Sequence, residues 1–128
     1  MRINLSDLNR AYRLSETKYA GPLGSGIYDA RLVCADIGYS ENGNRQIEWL
    51  LEAGSDDEEI GTATKSSPLV KKSMPYLRKE LETLGVFIND MNELHEILPS
   101  LVGSVVEIEV DDDTVEDYYR VDFLRKVS

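Results

Sequence analysis

The sequence predicts a mostly β domain with helices (α+β), on three observations. Residues 26–52 alternate apolar and polar side chains on both sides of an Asn42-Gly43 turn. Residues 104–123 do the same on both sides of an acidic run, and the stretch between the two alternating regions changes to the three- and four-residue spacing of amphipathic helices. A chain of 128 residues is the size of one domain and can bury about two-thirds of the surface it exposes when unfolded.

Residues 1–25 read as an N-terminal arm, with Leu5, Leu8, Tyr12 and Leu14 at a faint helical spacing after Asn4 or Ser6 as a cap. Gly21-Pro22-Leu23-Gly24-Ser25-Gly26 then breaks the chain. It is a lead-in rather than a phosphate loop, because no strand precedes it and no Lys-Ser/Thr ends it. The domain proper spans 26–128. Its first strand sets Tyr28, Ala30, Leu32 and Cys34 on one face and Asp29, Arg31 and Val33 on the other. Asn42-Gly43 supplies positive φ at the hairpin, and the second strand returns with Ile47, Trp49 and Leu51 opposite Gln46, Glu48 and Leu50. After an acidic turn at 54–59, Ile60, Thr62 and Thr64 alternate with small residues in a short third strand.

A helix over 74–84 is expected from a capping Ser73, Pro75 in the first turn and the stripe Met74, Leu77, Leu81, Leu84, with Gly85 as its left-handed stop. A second helix starts at Asn89 or Asp90, where Asp90 and Glu93 have capping-box spacing, and Pro99 ends it or opens a new turn. Gly103 introduces a fourth strand with Val106, Ile108 and Val110 on one face. An acidic turn reverses it into a fifth with Tyr119, Val121 and Phe123. Five mostly antiparallel strands with a helical segment between the third and fourth match the five-stranded Greek-key barrel called the OB-fold; an open half-barrel with the helix across it is the alternative. Tyr28, Leu32, Ile47, Trp49, Leu77, Leu81, Val106, Ile108, Val121 and Phe123 are expected to form one core, with the helix plugging the open end.

Little in the chain suggests catalysis. Carboxylates are abundant, but none stands beside a base, a metal partner or a nucleophile. Cys34 is the single cysteine, read as inward-facing and inert, and the single His95 reads as a helix-surface residue with no second ligand nearby. Asp111, Asp112 and Asp113 lack the alternating ligands and glycine of a calcium loop, so neither a metal nor a cofactor is expected. Apolar runs fall far short of the ~20 residues a membrane helix needs, and no basic-then-apolar leader opens the chain, so a cytoplasmic location is expected.

Binding fits better. An OB barrel takes single strands on the outer face of its second and third strands, using cations for phosphates and aromatic rings for bases. The candidates are Tyr39, Arg45, Trp49, Lys65, Lys71 and Lys72, with Arg78 or Lys79 on the helix. Trp49 shares parity with Ile47 and Leu51, which favours core packing, and the lysines also serve simply to solvate a helix. Against this stands a net charge of −10, from 24 acidic and 14 basic residues. Such a field repels nucleic acid at long range. Asp56, Asp57, Glu58 and Glu59, and Asp111, Asp112 and Asp113, form two acidic stretches that suit a basic protein surface, though solvated loops explain the same residues without a partner. The apolar residues of the arm either fold back over the barrel or pack against a second copy.

Taken together, Gly26-Ile27-Tyr28, Asn42-Gly43-Asn44-Arg45-Gln46-Ile47-Glu48-Trp49, Leu81-Glu82-Thr83-Leu84-Gly85-Val86, Leu101 to Ile108 and Tyr119-Arg120-Val121-Asp122-Phe123 resemble a family of phage and prophage single-stranded DNA-binding proteins, over roughly the last hundred residues. The resemblance implies an OB-type barrel acting in phage DNA replication or recombination inside a bacterial host, without strong sequence preference. It also implies an oligomer, which favours a homodimer here. A phage-encoded acidic adaptor, or a DNA mimic occupying a basic host surface, is the competing expectation.

Overall fold

The computed structural model describes residues 3–10, 19–54 and 60–128. In chain order the strands and helices are β1 (Tyr19–Pro22), β2 (Gly26–Tyr39), β3 (Arg45–Gly54), β4 (Ile60–Pro68), α1 (Met74–Thr83), α2 (Leu94–Leu101), β5 (Val105–Asp113) and β6 (Tyr118–Lys126). The strands form one mixed sheet of order β1-β4-β3-β2-β5-β6, curled into a half-barrel. All neighbours are antiparallel except β1, which lies parallel to the start of β4. This sixth strand comes from the stretch read as an arm, and it sits close against β4. A Cβ on Gly61 would lie 2.4 Å from the Leu23 side chain, so only glycine leaves Leu23 room to pack there.

β2 is the strand that both halves of the sheet share. Its first half pairs with β5, from Gly26 opposite Val110 to Arg31 opposite Val105. Its second half pairs with β3 out to Tyr39 opposite Arg45. Between Leu32 and Cys34 the register slips by one residue, a β-bulge at Val33. A bulge changes which side chains face the core, and this one corrects the expected strand. Ala30 and Leu32 are buried, but beyond the bulge Ala35 takes the inward position and Cys34 turns to the outer face. Uniform alternation cannot reveal such a slip.

At the hairpin tip the positive φ falls on Gly43, at 81°, and not on Asn42. The loop is closed by Gly43 N–H donating to Ser40 O and Ser40 N–H to Asn44 O. At the other hairpin, β5 runs on through Asp113, so Asp111, Asp112 and Asp113 lie in a strand rather than in the turn. Asp113 also shapes the turn that follows. Its Oδ1 accepts from the backbone N–H of Val115 and of Glu116, and Asp117 there adopts a φ of 52°. The stretch Asp56, Asp57, Glu58 and Glu59 lies outside the described residues.

Each helix differs slightly from its expected start or end. Ser73 makes no side-chain cap; a 3-10 turn over Lys71–Ser73 feeds the chain into α1, and Gly85 at a φ of 77° follows its end. Asp90 and Glu93 do form the capping box, but Pro99 lies inside α2 rather than ending it. Leu77, Leu81 and Leu84 with Leu94, Leu98 and Leu101 close the core from the helical side. They meet Leu32, Ile47, Trp49, Leu51, Val106, Ile108 and Val121 from the sheet, while Tyr28 and Phe123 pack at its margin. Ile3, Leu5 and Leu8 remain exposed, so residues 3–8 do not fold back to bury them, and Tyr12 and Leu14 lie outside the described residues. Among the described residues no helix is long and apolar enough to cross a membrane.

Leu81 is 3% exposed on the inner stripe of α1. Truncating it to Ala should cost about 2–5 kcal/mol in chemical denaturation, and a loss below ~1 kcal/mol would show that the helix does not close this core.

Candidate nucleic-acid interface

The six residues expected to touch single-stranded DNA divide into two groups. Trp49 and Lys65 stand directly opposite each other on β3 and β4, and both point to the inner face. Inward parity on β4 belongs to Gly61, Ala63, Lys65 and Ser67, three of them small, which leaves space for the indole and for a lysine laid across it. Trp49 is 2% exposed and offers no face to a base.

Instead, the two residues belong to a polar chain at the barrel's open side. Trp49 Nε1 donates to Ser67 Oγ at 3.0 Å, and Ser67 Oγ donates to Glu80 Oε1 on α1 at 2.9 Å. The other carboxylate oxygen of Glu80 holds Lys65 Nζ at 2.7 Å, and the same ammonium donates to the Val121 carbonyl of β6, also at 2.7 Å. Phe123 stands edge-on to Trp49, its centroid 5.2 Å away, with the Lys65 ammonium 5.4 Å above its ring. Lys65 therefore ties β4, α1 and the last strand together, and its charge is already neutralised.

The other four, Tyr39, Arg45, Lys71 and Lys72, meet at the hairpin end of the sheet. Tyr39 pairs with Arg45 across the β2–β3 ladder, and the Arg45 carbonyl accepts from Leu69 N–H at 2.9 Å, which brings the Lys71–Ser73 turn beside it. All four side chains are exposed. Arg10, Lys65, Arg78, Arg120 and Arg125 are each committed to a carboxylate, whereas Arg45, Lys71 and Lys72 make no ion pair among the described residues.

The outer face of β3 and β4, by contrast, is not basic. It presents Gln46, Glu48, Leu50 and Glu52 beside Thr62, Thr64 and Ser66. Three acid pairs stand directly opposite each other on the outer face of the sheet: Asp36 with Glu48, Asp29 with Glu107, and Glu109 with Asp122. Like charges in such positions destabilise a sheet. Arg120 and Arg125 relieve Asp122 and Glu107, and the buried Glu52 is held by Arg10.

A cleft of about 660 Å³ opens between β4, α1 and β6, with Ser66, Tyr76, Lys79, Arg120 and Leu124 among its walls. Tyr76 and Arg120 did not figure among the expected contacts. The signal available was the second face of the helix, where Ser73, Tyr76, Glu80 and Thr83 recur at positions three, four and seven residues apart while the leucines occupy the first.

On the outer face of β2 the Cys34 thiol donates to Asp36 Oδ2 at 2.8 Å. That hydrogen bond, then burial, then the charges of Asp36 and Glu48 push the thiol up to about 11. The rise thus comes first from a carboxylate neighbour and not from an inward position. Among the described residues no three His, Cys, Asp or Glu side chains come together as a metal site. No protein-family model matches the chain, and no curated protein matches it.

Only the thiolate is nucleophilic, so at pH 8 iodoacetamide should alkylate Cys34 roughly 100-fold more slowly than an ordinary cysteine thiol. Asp36→Asn should recover most of that rate. An unmodified protein reacting at the rate of a free thiol would show that the carboxylate does not hold the proton.

Proposed function

We propose that this chain is a non-catalytic, OB-type single-stranded DNA-binding protein that engages its ligand chiefly through the hairpin end of the barrel. The carrying observation is the convergence of Tyr39, Arg45, Lys71 and Lys72 on one exposed patch of a protein whose net charge is −10. Long-range repulsion makes a local cluster of unpaired cations necessary for any polyanion, and an exposed aromatic ring beside them supplies a stacking surface. The strand order supports the OB reading, because β4-β3-β2-β5-β6 is the order of that barrel opened at the seam between its third and fifth strands. The sequence resemblance to phage single-stranded DNA-binding proteins points the same way, towards work in replication or recombination.

Titrating a labelled single-stranded oligonucleotide at low salt tests this. Affinity should fall steeply with added salt, and Arg45→Ala/Lys71→Ala/Lys72→Ala should flatten the log–log salt slope by about 2, at ~0.7 per lost phosphate contact on a single strand. No binding of the wild type at tens of micromolar protein would sink the reading.

The opposed acid pairs favour a second reading, an acidic adaptor or DNA mimic for a basic surface of a host or phage protein. A sheet gains nothing in stability from facing Asp36 with Glu48, and carboxylates at regular ladder spacing complement cations spaced to meet phosphates. Recovering host proteins with the wild type, with Asp36→Asn/Glu48→Gln, and with Asp111, Asp112 and Asp113 replaced by Asn decides it. A basic protein lost in either variant supports the adaptor, and identical recoveries argue against it.

A further inference from the structure

We infer that the cleft between α1, β4 and β6 seats one nucleotide of the bound single strand, with its base against Tyr76 and a neighbouring phosphate at Lys79. This rests on the DNA-binding reading and adds the route the strand takes. An OB barrel usually carries its ligand across the outer face of its second and third strands, but here that face holds Glu48, with Asp36 directly opposite it on the neighbouring strand. A polyanion leaving the Arg45–Lys72 patch is turned away from those carboxylates and towards α1, which follows directly from the Lys71–Ser73 turn.

The helix is built with two working faces. Leu77 and Leu81 are buried against the core, while Tyr76, one position away, is 75% exposed at the wall of the cleft. A large ring carried on a helix and three-quarters exposed is a ready stacking platform, and one base on such a ring contributes a substantial share of single-strand affinity. The charges in the cleft also sort themselves. Glu80 is neutralised by Lys65, and Asp122 is paired with Arg120 at 2.9 Å. Lys79, which makes no ion pair among the described residues, is the charge left over. Ser66, Ser73 and Thr83 add hydroxyls, and about 660 Å³ is within the range of small-molecule sites. An added peptide strand fits less well: Lys65 already spans from β4 to the Val121 carbonyl of β6, blocking the gap between the two strand edges.

The test uses the full chain with an oligonucleotide carrying 5-iodouracil, together with titrations of Tyr76→Ala, Tyr76→Phe and Lys79→Ala. Crosslinking should map to Tyr76. Tyr76→Ala should weaken binding roughly 5- to 150-fold while Tyr76→Phe, which keeps the ring, stays near wild type. Lys79→Ala should weaken all sequences alike and flatten the salt slope by about 0.7. Both positions are on the helix surface, and Glu48→Gln on the outer face serves as the control that should not weaken binding. If the wild type binds while Tyr76→Ala and Lys79→Ala bind equally well, the cleft is not on the route and the DNA-binding reading stands. If the wild type does not bind, both fail together.

Discussion

The open side of this half-barrel depends on a single ion pair, Lys65 with Glu80. Helix α1 has an apolar stripe to dock, but a stripe of leucines fixes neither its rotation nor its height over the barrel mouth. The ion pair, extended through Ser67 to the Trp49 indole and through the lysine to the Val121 carbonyl, fixes both. Each member satisfies another, so none can be removed cheaply: a half-buried network that loses one partner leaves a desolvated donor or acceptor costing about 1–3 kcal/mol. The same network explains how β4 and β6 approach each other without a backbone ladder, since a side chain supplies the hydrogen bond that a strand neighbour would have made.

With Lys65 committed to the interior, the surface charge takes a definite layout. Carboxylates occupy much of the outer face of β2, β3, β5 and β6, while Arg45, Lys71, Lys72 and Lys79, which make no ion pair among the described residues, lie at the hairpin end and along α1. A strongly acidic protein therefore still presents a short basic path. Over a Debye length of ~8 Å a polyanion would sense that path and little of the opposite face, so a net charge of −10 does not by itself prevent a locally basic surface on one small domain.

Much of the architecture was readable from the sequence because side-chain period follows secondary structure so closely. Both hairpins, the helical insert between them and eight of the ten named core residues follow from alternation and leucine spacing, with Tyr28 and Phe123 at the core's edge. Three things were not readable, each for a physical reason. The Val33 bulge adds a residue without altering composition, so Cys34 was assigned to the wrong face. β1 is too short to show a period, and its Gly21-Pro22 looks like a breaker, yet parallel pairing along β4 needs only a few backbone hydrogen bonds. The role of Lys65 depends on register: a lysine flanked by hydroxyl residues reads as exposed until its position opposite Trp49 is known. The candidate patch was legible only where its members lie close together in sequence or in the hairpin, as Tyr39 and Arg45 do. The bend that brings Lys71 beside Arg45 is a tertiary fact.

The divided pairing of β2 sets the order in which this chain can acquire its structure. Its second half finds β3 across a loop of a few residues, a contact reached in microseconds, and β4 adds in the same local way. Its first half must wait for β5, because Gly26 pairs with Val110. On a ribosome, Gly26–Arg31 thus emerges well before Val105–Val110, the segment that completes its pairing. Ile27, Asp29 and Arg31 point outward from that stretch of β2, and two charges in three positions are what keeps a waiting strand from recruiting the wrong neighbour.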